Sequence, residues 1–234
     1  MNRQAVILFT GDPRREELRK GLPPHFLRRL HRSLIDTIER IENTDLFVVA
    51  TTPGSARPGR LLRFEHETLS DQITEALSQC FQTGYRQVIL LAGDTWGVSS
   101  ATMLQAFESL QTRRNAAVIG PSGDGGFYLA GFNHASAVAW AEIPLHAHDA
   151  AASLSAHLLN SGAQVTILPE FDDIDSLGDA VRSLARMRLP ALQALKRCLA
   201  SLLATLKKQV WSLTFDLVSS PAVAGAPFRA PPLL

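Results

Sequence analysis

Apolar and polar positions follow two patterns along this chain, one typical of strands and one typical of helices. Unbroken apolar runs predict buried strands at residues 5–9, 45–50, 87–92 and 163–168, and a weaker one at 61–65. Apolar residues at every third or fourth position predict helices between them, at residues 24–42, 69–83, 99–111, 149–161 and 175–188. Strands that alternate with helices in this way are typical of a mostly parallel sheet covered on both faces. The pattern therefore predicts an α/β fold.

Two further strands flank a glycine-rich turn that contains Asp124. An apolar run at residues 117–119 leads into this turn, and a strand follows from Phe127. The two strands are close enough in sequence to be antiparallel, which would make the sheet mixed. The turn itself can be interpreted as ordinary hairpin chemistry.

Asp94 follows directly after the predicted strand at residues 87–92. Open α/β sheets bind their ligands at the carboxyl ends of strands, so an acid in this position is a candidate site residue. The alternative is that Asp94 only caps the next helix. With Asp124 at a second strand end, the order of the motifs favours a site for a phosphorylated or nucleotide ligand.

Length and composition bring in few further constraints. The chain has 234 residues and a formal net charge of +1, which suits one large domain and gives no reason to expect nucleic acid as a partner. No stretch of about 18 uncharged apolar residues occurs, so we expect no transmembrane segment. Cys80 and Cys198 form neither a disulfide framework nor a zinc motif, which favours a reducing, cytoplasmic location.

The last 45 or so residues differ from the rest in pattern. Leucines at helical spacing, with lysines between them, predict a helix at residues 190–211. It would dock on the domain, or else contact a partner or a membrane surface. Residues 219–234 are rich in proline and alanine and are predicted to be poorly ordered. The sequence thus predicts a domain at residues 1–188 and a helical extension at 189–234.

Taken in order, these motifs resemble the DUF2064 family of bacterial glycosyltransferase-like proteins. That family is related to GT-A-fold nucleotidyltransferases such as the molybdenum-cofactor guanylyltransferases. The resemblance runs from about residue 4 to residue 187, and it is carried by residues 8–13, 93–94, 120–129 and 173–176. It implies a GT-A fold, which is a three-layer sandwich around a mixed, mostly parallel sheet.

The resemblance also implies a site. A nucleotide or nucleotide-sugar donor would lie across the strand ends, with Mg²⁺ or Mn²⁺ held by Asp94, since hard oxygen ligands suit these ions. The residues expected at the phosphates are Gly11, Arg15, Arg19 and Lys20. Those expected to contact donor or acceptor are Asp124, Gly125, Gly126, Asp173 and Asp175.

The chain departs from the family pattern where ligands are bound. The family's Lys-Thr-Arg-Leu in the first loop is Arg19-Lys20-Gly21-Leu22 here, and the second acid of its Asp-x-Pro-Asp motif is Gly97. Scaffold residues match, whereas polar ligand-binding residues do not. Two hypotheses follow. The protein is a glycosyl- or nucleotidyltransferase with a changed substrate, or it is a catalytically degenerate relative that binds a ligand or partner.

Two other features of the sequence are candidates for ligand binding. His146 and His148 could hold a metal, but a polar loop with Asp149 as the cap of the next helix is favoured. Trp96 would stack on a base or sugar, or it would fill the space between its loop and a helix.

Overall fold

The computed structural model describes residues 3–50, 60–62, 68–133 and 138–186. The chain divides into two units, Met1–Ala185 and Arg186–Leu234. The predicted helix at residues 190–211 and the tail at 219–234 therefore lie outside the described residues, and the domain boundary at residue 188 stays a prediction. No helix in the described ranges is long and apolar enough to cross a membrane.

A seven-stranded sheet forms the middle layer of the fold. Its strands are β1 (Gln4–Thr10), β2 (Thr44–Ala50), β3 (Arg60–Leu62), β4 (Gln87–Ala92), β5 (Ala116–Pro121), β6 (Phe127–Phe132) and β7 (Gln164–Ile167). They lie in the order β3-β2-β1-β4-β6-β5-β7. Strand β6 is antiparallel to both of its neighbours, and the other pairs are parallel. The predicted mixed, mostly parallel sheet is confirmed.

Helices cover both faces of this sheet. They are α1 (Pro13–Arg19), α2 (Phe26–Ile38), α3 (Leu69–Gln82), α4 (Ser100–Gln111), α5 (Ala150–Asn160) and α6 (Leu177–Arg186). Buried residues of α2, α4 and α6 join one core cluster, and those of α3 and α5 join the other. These layers confirm the three-layer sandwich predicted from the sequence.

The apolar runs in the strands follow from burial on both faces. In β1, Val6 and Leu8 face one core cluster while Ala5 and Ile7 face the other, and all four are fully buried. A strand with helices on both sides has no face left for polar residues. This is why the strand positions could be read from hydrophobicity alone.

Helix α1 was not predicted, because its segment carries a turn signal and no apolar period. Asp12 starts it, since its Oδ1 accepts hydrogen bonds from the backbone N–H groups of Arg14 (2.9 Å) and Arg15 (3.3 Å). Pro13 occupies the first helical turn, where its fixed φ suits the helix and its missing N–H costs nothing. The short helix carries Lys20 at its end.

Candidate functional site

The carboxyl ends of several strands are joined by a segment that follows β7. The backbone N–H of Ile174 donates to the carbonyl oxygen of Asp94 (3.0 Å), just beyond β4. The N–H of Gly123, in the turn between β5 and β6, donates to the carbonyl oxygen of Phe171 (3.2 Å). We call residues 169–175 the closing segment. It brings Asp173 and Asp175 to the edge of the sheet that carries Asp94.

Lys20 reaches this edge from the end of α1. Its ammonium donates to Asp94 Oδ2 (2.7 Å), to the carbonyl oxygen of Ile174 (2.9 Å) and lies 2.9 Å from Asp175 Oδ1. The Lys20 side chain is only 2% exposed. Burial by itself lowers the pKa of a lysine, but the charges and hydrogen bonds of Asp94 and Asp175 outweigh it, and the pKa of Lys20 is raised. Lys20 is therefore a permanent cation beneath the site.

Asp173 lies deeper in the same cluster. Its Oδ1 accepts a hydrogen bond from Thr95 Oγ1 (2.9 Å), and Thr95 is fully buried. Burial raises the pKa of the Asp173 carboxyl to about 6, with the negative charge of Asp94 as the next cause. This acid therefore keeps its proton into the mildly acidic range.

Asp124 is held within its own turn. Its Oδ1 accepts hydrogen bonds from Ser122 Oγ (2.6 Å) and from the N–H of Gly126 (2.9 Å). Burial alone would raise the pKa of Asp124, but these two hydrogen bonds outweigh it and the pKa is lowered.

Gly125 has a neighbour that only a glycine tolerates. Its φ is +90°, and a Cβ there would lie 1.7 Å from the carbonyl oxygen of His148. The N–H of Ala151, in the first turn of α5, donates to the Gly125 carbonyl oxygen (3.1 Å). The space directly beside Gly125 is therefore occupied by the chain's own backbone.

The other predicted phosphate-binding residues lie further out. Arg15 and Arg19 are exposed on α1, and Gly11 is exposed in the loop before it. The Arg19 guanidinium forms an ion pair with Glu16 Oε2 one turn earlier (2.5 Å). Of the four predicted phosphate residues, the structure brings Lys20 against Asp94 and leaves the other three at the surface.

His31 is a site residue that the sequence analysis missed. It lies on α2, and its Nε2 would be 3.1 Å from a Cβ placed on Gly93. Burial lowers the pKa of this imidazole to about 4, so it is neutral at physiological pH. It forms a row with Leu27 and Ile35, both buried. That four-residue spacing is the signal that could have identified it as inward-facing.

The remaining candidates have structural contacts. Trp96 stacks on Phe26 of α2, with ring centroids 5.9 Å apart and an angle of 18° between the planes. It fills the space between its loop and the helix, as one of the two interpretations expected. His148 Nδ1 lies 2.9 Å from the carbonyl oxygen of Asp124. Asp149 stands at the N-cap position of α5 as expected, but its side chain makes no capping hydrogen bond.

The acids at this edge do not have the arrangement that a divalent ion requires. Mg²⁺ and Mn²⁺ suit about six oxygen ligands, at roughly 2.0–2.2 Å for Mg²⁺. Here Asp94 and Asp175 both direct an oxygen at the Lys20 ammonium, at the distances of hydrogen bonds. Within the described ranges, no group of three or more His, Cys, Asp and Glu side chains is placed to hold a metal ion. As arranged, these oxygens fit an ammonium and do not fit a divalent ion.

Two cavities lie near the ends of the sheet. An apolar one of about 120 Å³ adjoins the strand ends on the α3 side, lined by Phe9, Leu69 and Leu145 among others. It is smaller than the roughly 300 Å³ at which ligand pockets begin. A second cleft, of about 510 Å³, lies at the opposite end of the sheet beside Arg113 and Arg114. This basic cleft is a competing place for an anion.

The fold and part of the sequence match known proteins. Residues 50–145 match the family described as "Uncharacterized protein conserved in bacteria (DUF2064)". Comparison with curated proteins gave no significant match.

Solved structures share the fold at low sequence identity. One, provisionally assigned as a nucleotide-diphospho-sugar transferase from Desulfovibrio desulfuricans G20, is 19% identical with a TM-score of 0.67, covering 85% of this chain and 97% of that one. The 4-diphosphocytidyl-2C-methyl-D-erythritol synthase from Anaerococcus prevotii DSM 20548 is 13% identical with a TM-score of 0.54, covering 78% and 94%.

A third similar structure was solved with its ligands. It is the mannosyltransferase PcManGT from Pyrobaculum calidifontis, in complex with GDP-Man and Mn²⁺, which is 14% identical with a TM-score of 0.52. The match covers 74% of this chain and 56% of that one. Identities this low show a common fold and no more. The fold is that of nucleotide-diphospho-sugar transferases, and the resemblance to DUF2064 predicted from the sequence is confirmed by the match at residues 50–145.

Proposed function

We propose that this protein binds a nucleotide or nucleotide sugar through its diphosphate, at the edge of the sheet beside Lys20 and Asp94, as a glycosyl- or nucleotidyltransferase-like protein. The observation that carries the proposal is the convergence of Lys20, Asp94, Asp173 and Asp175 at the carboxyl ends of the strands. Open α/β sheets bind their ligands at this edge. Transferases with this fold, such as the mannosyltransferase solved with GDP-Man, support the class of ligand.

The cations of α1 are available to a phosphate at little cost. Arg19 is exposed, and its ion pair with Glu16 lies at the surface. Such pairs contribute only about 0–1 kcal/mol, so exchanging Glu16 for a phosphate oxygen costs little. A guanidinium binds phosphate through two parallel hydrogen bonds. Arg15, one turn before Arg19, is exposed on the same short helix.

The charge on a diphosphate leaving group has to be neutralised when the donor bond breaks. In the proposed site, Arg19 and Arg15 supply this charge from the chain itself, because the three N–H donors of Lys20 are already used by Asp94, Asp175 and the Ile174 carbonyl oxygen. Asp124 and Asp173 would contact the donor or the acceptor, because Asp124 lies in the turn after β5 and Asp173 lies beside Thr95 at the same edge of the sheet. The proposal assigns no catalytic residue.

A thermal-shift series tests this proposal. The protein is heated with nucleoside diphosphates and nucleotide sugars, as wild type, as Arg19→Ala and as Arg32→Ala, whose exposed cation on α2 serves as the control. Ligand at about a hundredfold excess over its dissociation constant stabilises by about 2.7 kcal/mol, or roughly 5–10 °C for a domain of this size. We expect one nucleotide to shift wild type and Arg32→Ala alike, with the shift reduced in Arg19→Ala. If no nucleotide shifts the wild type, the proposal is wrong.

A second candidate is binding without transfer, in a catalytically degenerate relative. It is favoured by the Lys20 side chain, which fills the centre of the acidic cluster. The discriminating experiment incubates the protein with the nucleotide sugar that binds and measures release of nucleoside diphosphate. Turnover dependent on Asp94 would reject this candidate. Binding without turnover would support it over the transferase.

A further inference from the structure

Lys20 is coordinated in the way that a bound cation would be. Three oxygens surround its Nζ at 2.7 to 2.9 Å, from Asp94 Oδ2, Asp175 Oδ1 and the Ile174 carbonyl. An ammonium has three N–H donors and no acceptor, so these three oxygens satisfy it completely. They come from two segments far apart in the sequence, and Lys20 comes from a third.

We propose that the Lys20 ammonium is the built-in cation of this site and occupies the position between Asp94 and Asp175 that a divalent metal ion would take. The consequence for the ligand, that a nucleotide binds without a metal ion, rests on the proposed function. The statement about the cation does not, because it concerns Lys20 and its two carboxylates alone.

The position of Lys20 is fixed from both directions. Its backbone N–H donates to the Glu16 carbonyl oxygen (2.9 Å) at the end of α1, and the N–H of Leu22 donates to the Glu17 carbonyl oxygen (2.8 Å). Its side chain is 2% exposed, so water has almost no access to it. A buried ammonium that loses its carboxylate partners is strongly destabilised. The molecule therefore holds this lysine in place.

A divalent ion and the Lys20 ammonium compete for the same oxygens. An ion bound by Asp94 and Asp175 together would lie within about 3 Å of the ammonium, where two positive charges repel each other. The alternative is to expel the ammonium from its three partners. Either path opposes binding of the metal.

The first experiment titrates Mn²⁺ alone and follows the signal of the free ion by electron paramagnetic resonance. It compares wild type, Lys20→Met and Arg14→Met, whose exposed cation on α1 makes it the matched control. We expect wild type and Arg14→Met to bind no Mn²⁺ at this site. We expect Lys20→Met to bind one ion per chain, because the two carboxylates are freed, and to lose it again when Asp94→Asn is added.

Two outcomes overturn the proposal. One is binding of a Mn²⁺ ion by wild type that is lost in Asp94→Asn. The other is a Lys20→Met protein that is folded by circular dichroism and still takes up no Mn²⁺, since the ammonium would then not occupy a metal position. If Lys20→Met does not fold, Lys20→Gln takes its place, because an amide N–H can still donate to a carboxylate although the positive charge is gone.

The second experiment measures the affinity for nucleoside diphosphates in EDTA and in Mn²⁺. Because the cation is built in, we expect the two dissociation constants to agree within about twofold, equivalent to roughly 0.4 kcal/mol. Binding that requires Mn²⁺ contradicts the inference. Absence of binding under both conditions contradicts the proposed function instead, while the Mn²⁺ titration still reports on Lys20.

Discussion

Gly120 and Tyr128 meet across the hairpin of β5 and β6, and both belong to the string at residues 120–129 that carries part of the family resemblance. A Cβ on Gly120 would lie 2.4 Å from Cζ of the Tyr128 ring, which is fully buried. The Tyr128 hydroxyl donates to the Pro169 carbonyl oxygen (3.0 Å), and its ring packs edge-on against Phe171 at 5.1 Å. The glycine makes room for a tyrosine that positions the closing segment, and with it Asp173.

Replacing Gly120 by alanine should therefore damage the fold. The added methyl overlaps a ring that cannot move without losing its hydrogen bond, and overpacking of this kind costs about 2–3 kcal/mol. Urea denaturation measures the loss. Gly178→Ala in α6 is the control, because its Cβ would have ordinary contacts at 3.4 Å and alanine favours a helix. Equal stability of the two variants would contradict this account of Gly120.

Two titrating side chains near Asp94 should oppose each other in the pH dependence of stability. The pKa of Asp173 is raised from 3.8 to about 6, so its contribution to stability is present below pH 3.8 and is lost as pH rises through 6. The pKa of His31 is lowered from 6.5 to about 4, so stability increases with pH between 4 and 6.5. The charge of Asp94 acts on both His31 and Asp173. The charge of Lys20 also acts on His31, and that of Asp124 also acts on Asp173.

Single variants should separate the two effects. Between pH 4 and 6.5 we expect the free energy of unfolding of Asp173→Asn to rise by about 2 kcal/mol, because only the His31 contribution remains. In His31→Gln it should fall by a similar amount over the same range. Urea melts at closely spaced pH values give both curves. Curves that run parallel to wild type would show that these groups titrate as they do in the unfolded chain.

At the scale of elements, helix α2 depends on a residue from the helix before it. His25 precedes α2 with φ at +68°, and it provides no side-chain cap. The buried carboxylate of Glu17 in α1 accepts hydrogen bonds from the backbone N–H groups of His25 and Leu27, both at 3.0 Å. A carboxylate at a helix N-terminus also interacts favourably with the positive end of the helix dipole. Glu17 thereby fixes α2 relative to α1, and so fixes Lys20.

Glu17→Ala should leave the buried N–H of Leu27 and the part-buried N–H of His25 without this acceptor. We expect it to lower the free energy of unfolding by about 2–3 kcal/mol, since each unsatisfied group costs about 1–3 kcal/mol and some gain access to water. Glu16→Ala, which removes a surface ion pair one residue earlier, should cost less than about 1 kcal/mol. Thermal unfolding of both variants checks the difference. A Glu17 variant as mild as the Glu16 variant would mean that α2 needs no such cap.

The sequence predicted elements more readily than it predicted contacts. Strand β4 was predicted with the same limits, residues 87–92, because burial on both faces leaves an uninterrupted apolar run. Helix α2 was predicted to begin at residue 24 but begins at Phe26, since its cap is donated from Glu17, earlier in the chain. A local pattern does not record such a partner.

The same limit applies to the site. Asp94, Lys20, Asp173 and Asp175 were all named from the sequence, and the structure brings them together. Lys20 and Arg19 are adjacent in the sequence, yet one is buried and the other exposed, because successive helical residues differ by about 100° in direction. Lys20 meets Asp94 across 74 residues, which no motif specifies. The pairing of Lys20 with Asp94 therefore becomes visible only in the three-dimensional structure.

At the scale of the whole molecule, the strand order explains why a site forms at one edge. Strands β1 and β4 are parallel neighbours, so the residues after them, α1 and Asp94, emerge side by side. Strand β6 runs the other way, and the turn before it returns to the same edge with Asp124. The basic cleft beside Arg113 and Arg114 lies at the opposite end. An anionic ligand bound beside Lys20 and Asp94 would therefore contact different residues from one bound in the basic cleft.

The central claim is that the nucleotide lies at the edge that carries Lys20 and Asp94. Hydrogen–deuterium exchange tests it most directly, with and without the nucleoside diphosphate that raises the melting temperature most. The account predicts that added ligand slows exchange at residues 10–22, 93–97, 122–126 and 170–176, which surround the site. Slowed exchange confined to residues 113–115 and 162–164, at the opposite end of the sheet, would contradict it.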